Sequence, residues 1–472
     1  MSSSSLLSSL LGSSNATDIS SILEALTGAS TSGIDVTSAV NAAVQAAEAP
    51  INQWEDQQTT LGSQSSALTA IQTDITNLDN DMQSLNSLSG PFTAATVTSS
   101  NSSVVTASAS SSAAAGNNVI VVNSLATTDS WSSSVVASST TALPAETFTI
   151  TPADGTATTI TTDGTQTLSD LASEINADNL GVTANVVTDA NGSRLSIVAS
   201  DSGSASNFTV SSSDASSFGF THSVTGANAS ITVNGIDISS ASNTVTGVLP
   251  GVTLNLLSAS TSDVTLNVSP NTSSAASAIS QFVSDYNTAI NAVNAQFTDT
   301  DGSGEGVLSS DSTVRNLQNE LLGALDYQAT TTNSSGSTTY TNLSTLGITV
   351  NKDGTLSLDS TTLDSALENN FSEVQNFFQG SALNGFANTL DQQLTEFLSP
   401  SDGAFTVDLT SLSSQYTNLE DDITNFESNV ISPLKTQLTS EYSQAEISLQ
   451  ELPGEIKNID AELGENNSSS SS

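Results

Sequence analysis

Apolar residues recur every seven positions near the start of the chain, at Trp54, Leu61, Leu68, Ile75 and Met82. A second series, Ile71, Leu78 and Leu85, interleaves with the first at steps of three and four, and Gln57 and Gln64 occupy its upstream positions. Such an a/d seam predicts a long amphipathic, coiled-coil-like helix. Gly90-Pro91 ends it, and Pro50 suits its first turn. Upstream, Asp35 or Thr37 can cap a shorter helix carrying Val36, Val40 and Val44. The far end of the chain repeats the pattern at Leu409, Leu412, Tyr416, Leu419, Ile423, Phe426 and Val430. After Pro433 it resumes at Leu438, Tyr442, Ala445, Leu449, Leu452, Ile456, Ile459 and Leu463, with a kink expected at Pro453-Gly454. Each helix carries one apolar stripe that something must cover.

Between these ends the period drops to two. The runs 119–122, 148–150, 195–198, 208–210, 231–233, 252–256 and 264–268 are rich in Val, Ile, Leu, Phe and Thr and read as half-buried strands. Asn191-Gly192 and Asn234-Gly235 are turn signals. One short helix, about Leu168–Asn176, breaks the series, and the Ser/Thr/Gly-rich stretches 128–145 and 211–227 read as loops. Helical spacing returns with Ile279, Phe282, Val283, Tyr286 and Ile290, then with Val314, Leu317, Leu321 and Leu322. A hairpin follows, Ile348–Val350 and Leu356–Leu358 joined through Asp353-Gly354, and then helical segments near Leu363–Leu367, Val374–Phe378 and Leu383–Phe397.

The pattern therefore predicts an α+β chain. Long N- and C-terminal coiled-coil-like helices form a leg, beside a helical domain, and β-rich head domains are inserted in the middle. The expected divisions are a flexible Ser-rich N-terminus over 1–33, N-terminal leg helices over 34–92, and a β-rich head domain from 93–128 and 228–270. A second β-rich head domain over 129–227 is inserted in the first. A helical domain with a β-hairpin over 271–400, C-terminal leg helices over 401–463 and a disordered tail over 464–472 complete the chain. A short helix around Ile22–Leu26 is expected inside the N-terminal segment.

Composition narrows what such a chain can do. Its 472 residues hold 48 acidic and 5 basic side chains, a formal charge of -43. Arg194, Arg315, Lys352, Lys435 and Lys457 are scattered, so no patch can neutralise a row of phosphates, which excludes nucleic-acid binding. An anionic membrane surface repels the chain for the same reason. No run is long and apolar enough for membrane insertion, and MSSSSLLSSLLGSS has neither the positive nor the sustained apolar region of a cleaved signal. There is no cysteine, so disulfides and thiolate chemistry are impossible.

The chain offers little catalytic chemistry. Its single histidine, His222, lies in a Ser/Gly-rich segment without a nucleophile-elbow pattern and reads as a solvated loop residue. Asp299, Asp301, Ser303 and Gly304 match the first, third, fifth and sixth positions of a calcium loop, but Ser310 stands where the bidentate glutamate belongs. No Gly-rich phosphate loop is present. The expectation is a protein without cofactor or resident metal, and not an enzyme.

Several stretches, in this order, resemble the flagellar hook-associated protein 2 family. They are Gly33–Val36 with Ala47–Ile51; Val104–Ala107 through Gly116 and Ile120 to Ala126; and Thr167–Asn176 with Gly192–Leu195, similar to a flagellin-type repeat. Leu308–Arg315 followed by Leu346–Val350 and Gly354–Leu356 is the most specific block. The resemblance implies a structural cap at the distal tip of the bacterial flagellum, outside the cell, that holds exported flagellin and guides its polymerisation. It further implies a homo-oligomeric ring of five, with flagellin, hook-associated junction proteins and an export chaperone as partners. Contact seams for the ring or for flagellin are then expected at Trp54, Leu61, Leu68, Ile71, Ile75, Leu78, Met82 and Leu85, and at Leu412, Tyr416, Leu419, Ile423, Phe426, Val430, Leu438, Leu449 and Ile456. The alternatives are another flagellar axial protein, a flagellin or hook–filament junction protein, and a surface adhesin using the β domains.

Overall fold

The computed structural model describes residues 35–153, 155–298, 305–329, 341–380 and 384–468. The expected helix at Ile22–Leu26 and the segment Asp299–Gly304 lie outside them. The first helix, α1 (Val36–Ala47), is capped by Asp35, whose carboxylate accepts from Ser38 N at 3.1 Å and from Ser38 Oγ at 2.7 Å. One residue, Glu48, separates it from α2 (Ala49–Asn86), with Pro50 in the first turn where its missing N–H costs nothing. At 1.5 Å per residue, the 38 residues of α2 span roughly 57 Å.

The chain then enters the first head unit through β1 (Ala95–Ser99), β2 (Val105–Ala109) and β3 (Gly116–Ser124). It leaves for a second unit built from β4 (Thr128–Ser133), β5 (Thr147–Pro152), β6 (Thr158–Thr161), helix α3 (Leu168–Ala177), β7 (Val182–Asp189), β8 (Gly192–Ser202), β9 (Phe208–Ser212) and β10 (Phe220–Val224). It returns through β11 (Ala229–Val233), β12 (Ile236–Ser240), β13 (Thr244–Leu249), β14 (Val252–Leu256) and β15 (Ser260–Pro270).

The first unit has two sheets, β1-β15-β3-β11-β12 and β13-β14-β2, that share a core including Val105, Ile120, Ile231, Leu254 and Leu266. The second has sheets β10-β4-β8-β7 and β6-β5-β9, with α3 lying on β7. Its core includes Phe148, Leu171, Leu195, Ile197 and Phe218. A reciprocal capping box starts α3: Asp170 N donates to Thr167 Oγ1 while Thr167 N donates to Asp170 Oδ2. The stretches 128–145 and 211–227, expected to be loops, contain β4 and β10. Their alternation, Asp129-Ser-Trp131-Ser-Ser133 and Phe218-Gly-Phe220-Thr-His222, is diluted by Ser and Thr, which serve on a pleated surface as well as in loops.

The helical unit follows, with α4 (Thr272–Asn294), α5 (Ser312–Ala324), β16 (Ile348–Val350), β17 (Leu356–Leu358), α6 (Ser360–Gln379) and α7 (Phe386–Leu398). Helix α6 kinks at Asn370, where φ is -140°. The hairpin pairs Ile348 with Leu358 and turns at Gly354, whose φ of +82° favours glycine. Asn287 on α4 holds the hairpin by donating to Leu356 O and accepting from Leu356 N.

The last helices, α8 (Ala404–Phe426) and α9 (Ser432–Ser468), are joined by one π-helical stretch, Glu427–Ile431. Pro433 therefore does not interrupt the rod. The widened π turn lies directly before it and absorbs the backbone bond that proline cannot make. The helix also continues through Pro453-Gly454 and on to Ser468, beyond the Gly464 limit expected from sequence.

Candidate assembly site

The two terminal seams meet each other. As residue numbers rise along α2 they fall along α8, so the helices run antiparallel. Trp54 meets Phe426 edge-to-face with ring centroids 5.5 Å apart, and Gln58 Nε2 donates to Tyr416 O at 3.3 Å. Leu61 and Leu419 face across a cleft of about 410 Å³, also lined by Gln57, Thr60, Gln415 and Asn418. Farther out, α1 packs on α9. Val40, Val44, Ala47, Ile51 and Ile431 form a small buried cluster there, wrapped by half-buried Trp54, Ile423, Phe426, Leu434, Leu438 and Tyr442. This outer, mostly helical region is the leg.

The structure divides the expected contact residues into three sets. Leu68, Ile71, Ile75, Leu78, Met82 and Leu85 are buried in the chain's own helical core with Ile279, Phe282, Leu317, Leu390 and others. They have no face left for another molecule, so the reading of these six as a contact seam is corrected. A heptad pattern specifies a buried face and does not say whether a second chain or the same chain covers it. Leu412 is half-buried against that same core. Trp54, Leu61, Leu419, Ile423, Phe426 and Leu438 hold the leg together. Tyr416, Val430 and Leu449 remain exposed, Leu449 by 48%, and Val407, Ile447 and Leu452 are exposed with them. Ile456 lies on the same helix α9. The leg thus presents single apolar side chains along one long helical rod, and two helices are too few to cover them.

The head carries one feature that sequence reasoning missed. His222 sits on strand β10, opposite Trp131 of β4, and its ring stacks on that indole at 4.6 Å between centroids and 18° between planes. Its Nε2 lies 2.5 Å from Oδ1 of Asp129, a fully buried carboxylate whose Oδ2 accepts from Phe208 N at 2.8 Å. Trp131 Nε1 donates to Phe208 O at 3.0 Å. The group lies beside the two crossings between head units, where Thr127 pairs with Ala227. Through these contacts the histidine ties the edge strand β10 to its neighbour β4. The period-two pattern of Phe218, Phe220 and His222 was the available signal.

Among the described residues no group of three or more His, Cys, Asp or Glu side chains is placed to hold a metal ion. Among them, no helix is long and apolar enough to cross a membrane.

Two models of one protein family match the chain: Flagellar hook-associated protein 2 N-terminus over residues 32–129 and Flagellar hook-associated protein 2 C-terminus over residues 226–452. A third, the Flagellin hook IN motif, matches residues 147–201 within the second head unit. Flagellar hook-associated protein 2 of Escherichia coli K12 is 32% identical over 139 residues, which cover 27% of this chain and 28% of that protein. The B-type flagellar hook-associated protein 2 of Pseudomonas aeruginosa PAO1 is 32% identical over 135 residues, covering 28% of this chain and 27% of that protein. These matches span less than a third of either relative. The crystal structure of the flagellar cap protein FliD D1-D2-D3 domains from Escherichia coli superposes with a TM-score of 0.56 at 29% identity, covering 74% of this chain and 99% of that one.

Proposed function

The chain belongs to the flagellar hook-associated protein 2 family, and from that premise we propose that it is a structural cap at the distal end of the bacterial flagellar filament. In this reading it promotes polymerisation of flagellin and keeps exported monomers from escaping, and it performs no covalent chemistry. The observation that carries the proposal is the leg: an antiparallel helical rod built from both ends of the chain, with Tyr416, Val430, Ile447, Leu449 and Leu452 left exposed along it. Such a rod suits the end of a helical filament, where partner helices cover the stripe.

The cap acts outside the cell as a closed ring of copies, five by family resemblance, each meeting the next head-to-tail. Flagellin, the hook-associated junction proteins and an export chaperone are its proposed partners. With a formal charge of -43 on each copy, ring closure requires screening and becomes salt-dependent.

The deciding experiment deletes the coding sequence in a motile host and measures flagellin in the medium. Leaked monomer and missing filaments are expected, both reversed by the intact chain. Normal filaments with no leaked flagellin would refute the capping role.

A further inference from the structure

Helix α2 carries Asp74, Asp79 and Asp81 along the stretch buried in the helical unit. Residues two apart on a helix point roughly 200° apart, so Asp79 and Asp81 reach different neighbours. Asp79 faces Asp391 on α7, while Asp81 faces Asp285 on α4, which also lies against Asp74. Asp79 is only 8% exposed and sits between fully buried Leu78 and Met82. Its Oδ2 accepts from Gln83 Nε2 at 2.8 Å, but its Oδ1 is shut off from solvent with no donor, and so is Oδ2 of Asp81.

Among the described residues, the helices shown packed on α2 bring no cation to these contacts. Helices α1, α4, α6, α7 and α8 pack on α2, and neither they nor α2 contain a lysine, arginine or histidine. Their charged residues are carboxylates throughout. These are Asp285 on α4, Asp391 and Glu396 on α7, and Asp364, Glu368 and Glu373 on α6. Asp408, Glu420, Asp421 and Asp422 lie on α8, with Glu55 and Asp56 on α2 itself. Asp285 accepts from Gln281 Nε2 at 2.9 Å, but that leaves the orphaned oxygens of Asp79 and Asp81 without a donor. An orphaned carboxyl oxygen that faces a second carboxyl is completed when one of the two holds a proton and donates it to the other.

We propose that each facing pair, Asp79 with Asp391 and Asp81 with Asp285, is closed by a shared proton, so that the seating of α2 on α7 and α4 is a proton-operated clasp. Burial first, and then the neighbouring carboxyl, pushes Asp79 up to about 6 and Asp81 up to about 7, and it raises Asp74. These values lie above the 3.8 of an unhindered aspartate. Between about pH 4 and 7 the folded chain therefore binds more protons than the unfolded chain, and stability falls as pH rises through 6 to 7. Because α2 continues without a break into the leg, the clasp sets how firmly the root of the leg is held.

The test is amide hydrogen exchange on the full chain at pH 8 and pH 5, corrected for intrinsic rates, in peptides covering 74–86 and 386–396. The opening constant of wild type should fall about tenfold or more on acidification, as the raised values require. D79N/D81N supplies amide donors at every pH, so its protection should be high and nearly equal at both. D285N/D391N places the amides on the opposite partners and should behave alike. Peptides covering 95–124 in the first head unit monitor folding. Equal pH dependence in wild type and the variants would overturn the proposal, as would loss of protection at both pH values when the amides are introduced. Wild-type protection at pH 8 that rises with added sodium or calcium to its pH 5 level would assign the contacts to a cation and overturn it as well.

Discussion

The Phe426→Ala substitution measures how much the leg depends on its own apolar contacts. Phe426 is half-buried, closes the cluster of Val40, Val44, Ala47, Ile51 and Ile431, and meets Trp54 edge-to-face. A fully buried Phe contributes about 1.5–3 kcal/mol through area, so half burial contributes about 1 kcal/mol. The edge-to-face pair adds about 0.5–1.5 kcal/mol. Together they give about 2 kcal/mol, or about a 30-fold change in the opening constant of the leg. Exchange in peptides covering 36–47 and 415–440 should rise by that factor, while peptides from the heads stay unchanged because their cores are separate clusters. Fluorescence gives a second reading. The chain has two tryptophans, Trp54 in the leg and Trp131 in the second head unit, so a W131F background isolates the leg signal. A change of less than threefold in the leg, or an equal change in the heads, would refute the assignment of the leg as a separately held cluster.

Other outcomes follow from the same contacts. Leu78→Ala should destabilise the helical unit by about 3–5 kcal/mol in chemical denaturation, whereas Leu61→Ala, beside the leg cleft, should cost less than about 1 kcal/mol. Replacing His222 by Ala removes one hydrogen bond to the buried carboxylate of Asp129, which keeps that from Phe208 N, and should cost about 1–3 kcal/mol in the second head unit, read by Trp131 fluorescence on thermal unfolding, with His222→Gln milder. The double change of Leu419 and Phe426 to Asp should leave the heads folded by circular dichroism yet release flagellin into the medium. Light scattering across a salt series should show larger assemblies of the purified chain as salt rises, and monomer at every concentration would count against the ring.

Much of the fold could be read from residue patterns because the relevant interactions are local. Asp35 and Thr167 cap their helices with their own side chains, and Asp353-Gly354 turns the hairpin whatever lies around it. The heptads of 54–85 and 409–430 specified two long helices with one apolar stripe each, although Tyr416 and Val430 of the second stripe stay exposed, and the period-two runs specified the principal strands. Composition, with five basic residues and no cysteine, limited the chemistry before any contact was known.

Only the tertiary structure decided what covers each face. Leu61 and Leu68 are equivalent within one heptad series, yet one lines the leg cleft and the other is in the helical core, because α4 and α7 pack on the second half of α2. Strands β4 and β10 became visible through pairing, since Ser and Thr are ambiguous until a neighbouring strand takes their backbone bonds. The facing of Asp79 with Asp391 and of Asp129 with His222 joins residues far apart in the chain, and no local period records such a meeting. Periodicity measures the direction in which a side chain points, whereas burial and ionisation depend on what the rest of the chain brings to meet it.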